Sequence, residues 1–316
     1  MKKILLKLST SISKLIFPLL AKLFIVFRIN RRAINFLSDK SYSANNYYDF
    51  SKTIENLINN KKLIALDVGA QGGFNSDSFF SKKYENFFEP ILVEPIIEEV
   101  TKLRKKNKFI IDKGLWSSKC NKKIYILGNR SGSSSMYKPD PSNFDMHDIK
   151  EKDYSLFNVT DSFEVECETL SDSLKKIGIN NLDYLKIDTQ GSELEILKGI
   201  KNYRPLMIRT EVQILSMYQE VPSWSKLVDL LYELDYIVCD WKSIGSHAAR
   251  VPAEMDMLFI PDFNKEKGRD LINNNENKFV SLMLIFGQIK LLKILSKRNK
   301  FKFSHLLKNL DDRYFF

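Results

Sequence analysis

Between residues 60 and 262 short apolar runs alternate with amphipathic segments, and this rhythm predicts the fold. Runs rich in Ile, Leu and Val at 63–68, 91–94, 109–111, 182–187, 206–210, 236–240 and 255–260 predict strands. Near-continuous apolar runs suit strands buried on both faces. Segments 96–106, 170–177, 193–199 and 224–234 have helical spacing and separate most of these strands. Strand alternating with helix predicts a mostly parallel α/β sheet with helices on both faces and ligands at the carboxyl ends of its strands.

Residues 120–168 break the rhythm. Two strand-like runs, 123–127 and 163–167, flank a polar loop with Gly132, Ser133, Ser134, Ser135, Pro139 and Pro141. Loops of this length are uncommon unless they have a function or lack structure. The stretch reads either as an inserted hairpin whose loop covers a substrate, or as a connection with no ligand contact.

Charge changes the picture at the ends of the chain. The 316 residues carry 49 Lys and Arg against 39 Asp and Glu, a net charge of +10. Residues 1–40 hold +8 of it and residues 279–316 hold +6, which leaves −4 for residues 41–278. The body is therefore mildly acidic, and nucleic-acid binding by an extended basic face is disfavoured. An apolar content of 44% is enough for a buried core. Cys120, Cys167 and Cys239 are odd in number and lack metal-ligand spacing, which points to a reducing, cytoplasmic compartment without a disulfide framework.

The N-terminal segment is apolar but punctuated by Lys7, Lys14 and Lys22, and no uncharged run reaches the roughly 20 residues of a spanning helix. The spacing of those lysines puts them on one helix face, with Pro18 as a kink. A signal peptide fits poorly, because Lys14 and Lys22 interrupt the apolar region. Two readings stand: an interfacial basic helix drawn to anionic lipid at the inner membrane face, or a helix packed on the body or a partner. The segment from Phe279 repeats the pattern of apolar clusters with Lys and Arg. The expected organisation is a basic helical segment at 1–40, a catalytic domain at 41–262 and a second basic helical segment at 263–316.

Candidate chemistry begins where the first strand ends. Asp67-Val-Gly69-Ala-Gln71-Gly72-Gly73 is a strand tip running into a glycine loop. Glycine there lets backbone pass close to a ligand. No Gly-Lys-Ser or Gly-Lys-Thr follows, and a dinucleotide fingerprint would need glycine at position 71. The second strand ends in Glu94, an acid able to accept from both hydroxyls of a ribose. Asp67 would serve a cationic group, directly or through water. An acid, a glycine loop and a second acid on adjacent strands suit S-adenosylmethionine, which has a ribose, an ammonium group and no phosphate.

A second motif, Lys186-Ile-Asp188-Thr-Gln190-Gly191-Ser-Glu193, follows the strand beginning near Leu182. It resembles the strand-four region of the FkbM family of S-adenosylmethionine-dependent methyltransferases. The segments from Asp67 to Gly73, Val93-Glu94-Pro95 and Met255 to Ile260 resemble other motifs of that family, so the likeness spans about residues 60–262. Gln71 and Gln190 depart from it, since Asn and an acid are common there. The resemblance implies a class I methyltransferase (Rossmann-like) fold of seven strands with the last antiparallel. It also implies O-methylation of a hydroxyl on a sugar, glycan or other small metabolite.

In-line methyl transfer needs an aligned acceptor and a group to take its proton. Asp188 at the tip of the fourth strand is the first candidate, as base or as orienting group. Glu211 at the end of the fifth strand is another, and His247, in the loop before the last strand, is a third. Glu193 serves either catalysis or the dipole of its helix, while Lys186 reaches a neighbouring carboxylate. Asp112 either accepts from an adenine amino group or merely ends its strand. No His- or Cys-rich spacing supports a metal. Rival functions are an RNA or protein methyltransferase that grips a polymer with its basic termini, and a membrane-associated S-adenosylmethionine-binding module without turnover.

Overall fold

The computed structural model describes residues 49–147, 149–244, 253–298, 301 and 303–307. The N-terminal segment and His247 lie outside them. The chain divides into two compact units, one of residues 63–76 and 88–272, the other of residues 1–62, 77–87 and 273–316.

The larger unit is built on a seven-stranded sheet. Its strands are β1 (Leu63–Val68), β2 (Phe88–Val93), β3 (Phe109–Ile111), β7 (Tyr184–Ile187), β8 (Met207–Gln213), β9 (Tyr236–Ile244) and β10 (Glu254–Pro261), in the order β3-β2-β1-β7-β8-β10-β9. All neighbours are parallel except β10, which runs antiparallel to both β8 and β9. Every predicted strand is present.

Alternate side chains explain the apolar runs. Ile91 and Val93 of β2 join a core with Leu66, Leu185 and Phe259, while Leu92 between them packs with Leu103 on the other face. A strand apolar at every position is therefore covered on both sides. The helices supply one apolar stripe each, as in Trp224–Glu233, which buries Leu227 and Leu231 one turn apart. Helix Leu170–Lys176 starts where Thr169 accepts the Asp172 N–H on its hydroxyl at 3.1 Å, a side-chain cap.

Residues 114–168 form a second sheet. Strands β5 (Cys120–Ile126) and β6 (Asp161–Glu168) pair antiparallel as the expected hairpin, and β4 (Gly114–Leu115) adds to β6 in parallel. The loop between them is ordered by 3-10 turns and by a small core of Leu127, Phe144, Phe157, Met217 and Tyr218.

The other unit contains helices Ser51–Ile58, Glu276–Ile285 and Ile289–Ser296 with 3-10 turns Lys82–Phe87 and Phe303–Leu307. The segment from Phe279, read either as lipid-facing or as packed on protein, is the core of this unit: all eight residues from Phe279 to Phe286 are buried. Phe286 packs against Phe79 and Phe80, and Phe279 against Phe303. A helix apolar all round is a buried helix, and here protein covers it. Among the described residues no helix is long and apolar enough to cross a membrane.

Candidate active site

Strand order reverses between β1 and β7, where a parallel sheet opens a crevice beyond its carboxyl ends. A cleft of about 630 Å³ occupies that position. Gly69, Glu94 and Asp188 line it from three strand tips, and Ser131, Ser135 and Met136 line it from the inserted loop. The inserted loop is therefore part of the cleft wall.

Gly69 has φ +81, and a Cβ there would lie 1.9 Å from the Asp188 carbonyl oxygen. Only glycine allows β1 and β7 to converge at this point. Gly73 also has a positive φ, yet its N–H donates to the Ala70 carbonyl and it does not line the cleft. Its place is in the turn.

Glu94 is 4% exposed, and its Oε1 accepts the Ile96 N–H at 2.9 Å. Burial pushes its carboxyl up to about 7, with that hydrogen bond opposing the rise and Glu99 and Asp67 adding to it. Asp67 is 1% exposed and does not line the cleft. Its carboxylate meets Lys186 Nζ at 3.1 Å, and the same ammonium lies 3.6 Å from Asp188 Oδ2. The prediction that Lys186 reaches a carboxylate agrees with this arrangement. Asp112 is turned outward to Arg104 at 2.6 Å and contributes nothing to the cleft wall. Strand β3 ends one residue earlier, and it is Lys113 that lines the cleft.

Glu193 accepts the Thr189 and Gly191 N–H groups and the Thr189 hydroxyl at 2.8 to 3.1 Å. It shapes the turn that carries Asp188, which supports the structural alternative for this residue. Burial raises its carboxyl despite these donors.

Glu211 does not line this cleft and faces a smaller pocket with Gly191 and Glu193. Burial raises it well above the carboxylate range, and the charges of Asp188 and Glu254 add to the shift. The Gln190 amide joins the two acids, donating to Asp188 Oδ1 at 3.1 Å and to Glu211 Oε1 at 2.9 Å. Gln71 is the partner of the serine loop, with Nε2 donating to Ser131 Oγ at 2.9 Å.

Two participants escaped sequence reasoning. Glu254 opens β10, opposite Gln213 of β8, and burial followed by Asp188 pushes it up to about 7. Because β10 is antiparallel, its first residue arrives at the edge where the parallel strands end, and that direction was the available signal. His147 Nδ1 stands 3.6 Å from Glu254 Oε1, too far for a hydrogen bond, and burial lowers the pKa of the imidazole. The other participant is Tyr218, whose hydroxyl donates toward Ser133 O at 2.7 Å and Gln190 Oε1 at 3.1 Å. Nothing local marks it.

The family model of the methyltransferase FkbM domain matches residues 67–238, more than half of the chain. Among solved structures, the precorrin-6y C5,15-methyltransferase from Geobacter metallireducens GS-15 matches at 12% identity with a TM-score of 0.28, covering 67% of this chain and 87% of that one. No curated protein matches.

Proposed function

The chain belongs to the FkbM family of methyltransferases, and from that membership we propose that it is an S-adenosylmethionine-dependent O-methyltransferase acting on a sugar, glycan or other small hydroxyl compound. Strand order and the antiparallel β10 support reading the sheet as a class I, Rossmann-like methyltransferase core. The observation that carries the proposal is that Gly69, Glu94 and Asp188 share one cleft at the reversal of strand order.

The residues present suit that cofactor. Glu94 would accept from the ribose hydroxyls, Gly69 would let the amino-acid end lie against backbone, and Pro95, Ile96 and Leu115 offer apolar surface to the base. Asp67 would act through Lys186, behind the wall. Bound there, the cofactor supplies an electrophilic methyl group on a sulfonium. The protein then has to align the acceptor hydroxyl and receive its proton. Asp188 is the acid on the wall for this task, and such a base contributes about 10²- to 10⁴-fold. Glu211, whose carboxyl is raised by burial and by its neighbours, would serve in the supporting network. The basic segment 1–32 supports a peripheral position at the inner membrane face.

The test is incubation of the protein with methyl-labelled S-adenosylmethionine and an extract of the native cell. Label in a sugar or small hydroxyl compound is expected. Label confined to RNA or protein would overturn the acceptor class, and cofactor binding without label in any pool would overturn turnover.

A further inference from the structure

Gln190 lines the cleft and links several of its parts. Its backbone has φ +59, a left-handed conformation that non-glycine residues seldom adopt. Its side-chain nitrogen donates to Asp188 Oδ1 and Glu211 Oε1, and a primary amide has two N–H groups to give. Its side-chain oxygen faces the Tyr218 hydroxyl at 3.1 Å, and its peptide oxygen accepts from Ser135 Oγ at 2.7 Å. The serine hydroxyl is free to donate because it accepts the Tyr137 N–H with its lone pair at 2.9 Å.

These bonds join two parts of the cleft that the chain keeps far apart. Asp188 lies at the tip of β7, while Ser133 and Ser135 belong to the inserted loop, held also by Gln71 through Ser131. Without the amide, the half-buried Asp188 carboxylate and the buried Glu211 carboxyl would lose their shared donor, and Asp188 would keep the Lys186 ammonium at 3.6 Å. With the amide present, the orientation of Asp188 depends on Tyr218 and Ser135, which fix where the amide points.

We propose that Gln190 is a positioning residue that holds the Asp188 carboxylate toward the cleft and ties that orientation to the seating of the serine loop, residues 131–136. The role in methyl transfer rests on the function proposed above. Tyr218 is its lever: its hydroxyl meets the Gln190 side-chain oxygen at 3.1 Å, and the nitrogen of the same amide meets both acids.

The experiment uses the full chain as wild type, Gln190→Leu and Tyr218→Phe. Side-chain carboxyl NMR titration without cofactor reads the acid pair directly. In Gln190→Leu the apparent midpoint of Glu211 is expected to move by about half a pH unit or more, and Tyr218→Phe moves it in the same direction by less. Protease nicking between residues 128 and 160 is expected to quicken in both variants. Labelled methyl transfer falls about tenfold or more in Gln190→Leu, while calorimetric affinity for S-adenosylmethionine stays within about threefold. Adding Tyr218→Phe to Gln190→Leu costs less turnover than Tyr218→Phe costs alone. Unmoved titrations in Gln190→Leu, or a full additional loss in the double variant, would overturn the proposal. If Gln190→Leu does not fold, Tyr218→Phe decides by the same titration. A wild type that transfers no label defeats the methyltransferase reading while the titrations still decide the role of Gln190.

Discussion

Lys186 and Asp67 stand opposite each other in the register of β7 and β1, and their charged groups meet at 3.1 Å with both side chains almost fully buried. The pair ties the strand that leads to the glycine loop to the strand that leads to Asp188. Removing one partner leaves a charge in the sheet, which typically costs about 3–5 kcal/mol. Lys186→Met is therefore expected to lose about that much stability in denaturant titration and to weaken cofactor binding. The double variant Lys186→Met with Asp67→Asn should recover most of the stability, since the carboxylate left beside position 186, that of Asp188, is partly exposed.

Glu94 gives cofactor binding a pH dependence. A carboxyl raised to about 7 is largely protonated below neutrality and cannot then accept from two ribose hydroxyls. Affinity for S-adenosylmethionine should fall as pH drops below about 7, by up to about tenfold per pH unit. Glu94→Gln should bind about 1–3 kcal/mol more weakly at pH 8 and lose the pH dependence. Calorimetry across pH 6 to 8 measures both, and a flat wild-type profile would contradict the assignment.

Asp188→Asn keeps the shape of the side chain and removes the proposed base. Turnover should fall about 10²- to 10⁴-fold with cofactor affinity nearly unchanged. Near wild-type turnover in the labelled-methyl assay would move the proton transfer to another group, with His247 the next to test.

Glu254 is raised to about 7 by burial and by Asp188, so its ionisation opposes folding. Its folded value lies above the unfolded one, so the stability it contributes is present below about pH 4.5 and is lost as pH rises to about 7. Glu254→Gln should thus be more stable than wild type at pH 8 by about 1–3 kcal/mol, with the advantage gone at pH 4.5. Thermal melts at the two pH values, compared at equal ionic strength, test the sign.

Deleting residues 1–32 removes the basic apolar segment and should move the protein from the membrane fraction of lysed cells to the soluble fraction. Equal partitioning of the two forms would leave the packing alternative for that segment.

Much of the site was legible because a parallel sheet converts local order into common position. Gly69, Glu94 and Asp188 each lie at or just beyond the carboxyl end of an apolar run, and strands that run the same way bring those ends to one edge. Asp112 and Gly73 satisfy the same local rule and still do not line the cleft. Asp112 turns to Arg104 and Gly73 closes a turn, choices made by side-chain partners rather than by strand position. The Gln190 hub was hidden for a related reason: Glu211, Tyr218 and Ser135 lie 21, 28 and 55 residues from it along the chain.

The sequence by itself determined the strands, the helices between them, the glycine loop and the acids at the strand tips, because apolar periodicity and backbone freedom are local properties of the chain. Tertiary structure alone decided what covers each apolar face and which polar groups meet. Phe279 to Phe286 marks that boundary most clearly: its composition announces burial, but the hydrophobic effect has no direction, so the same residues suit lipid or protein until the fold supplies a neighbour.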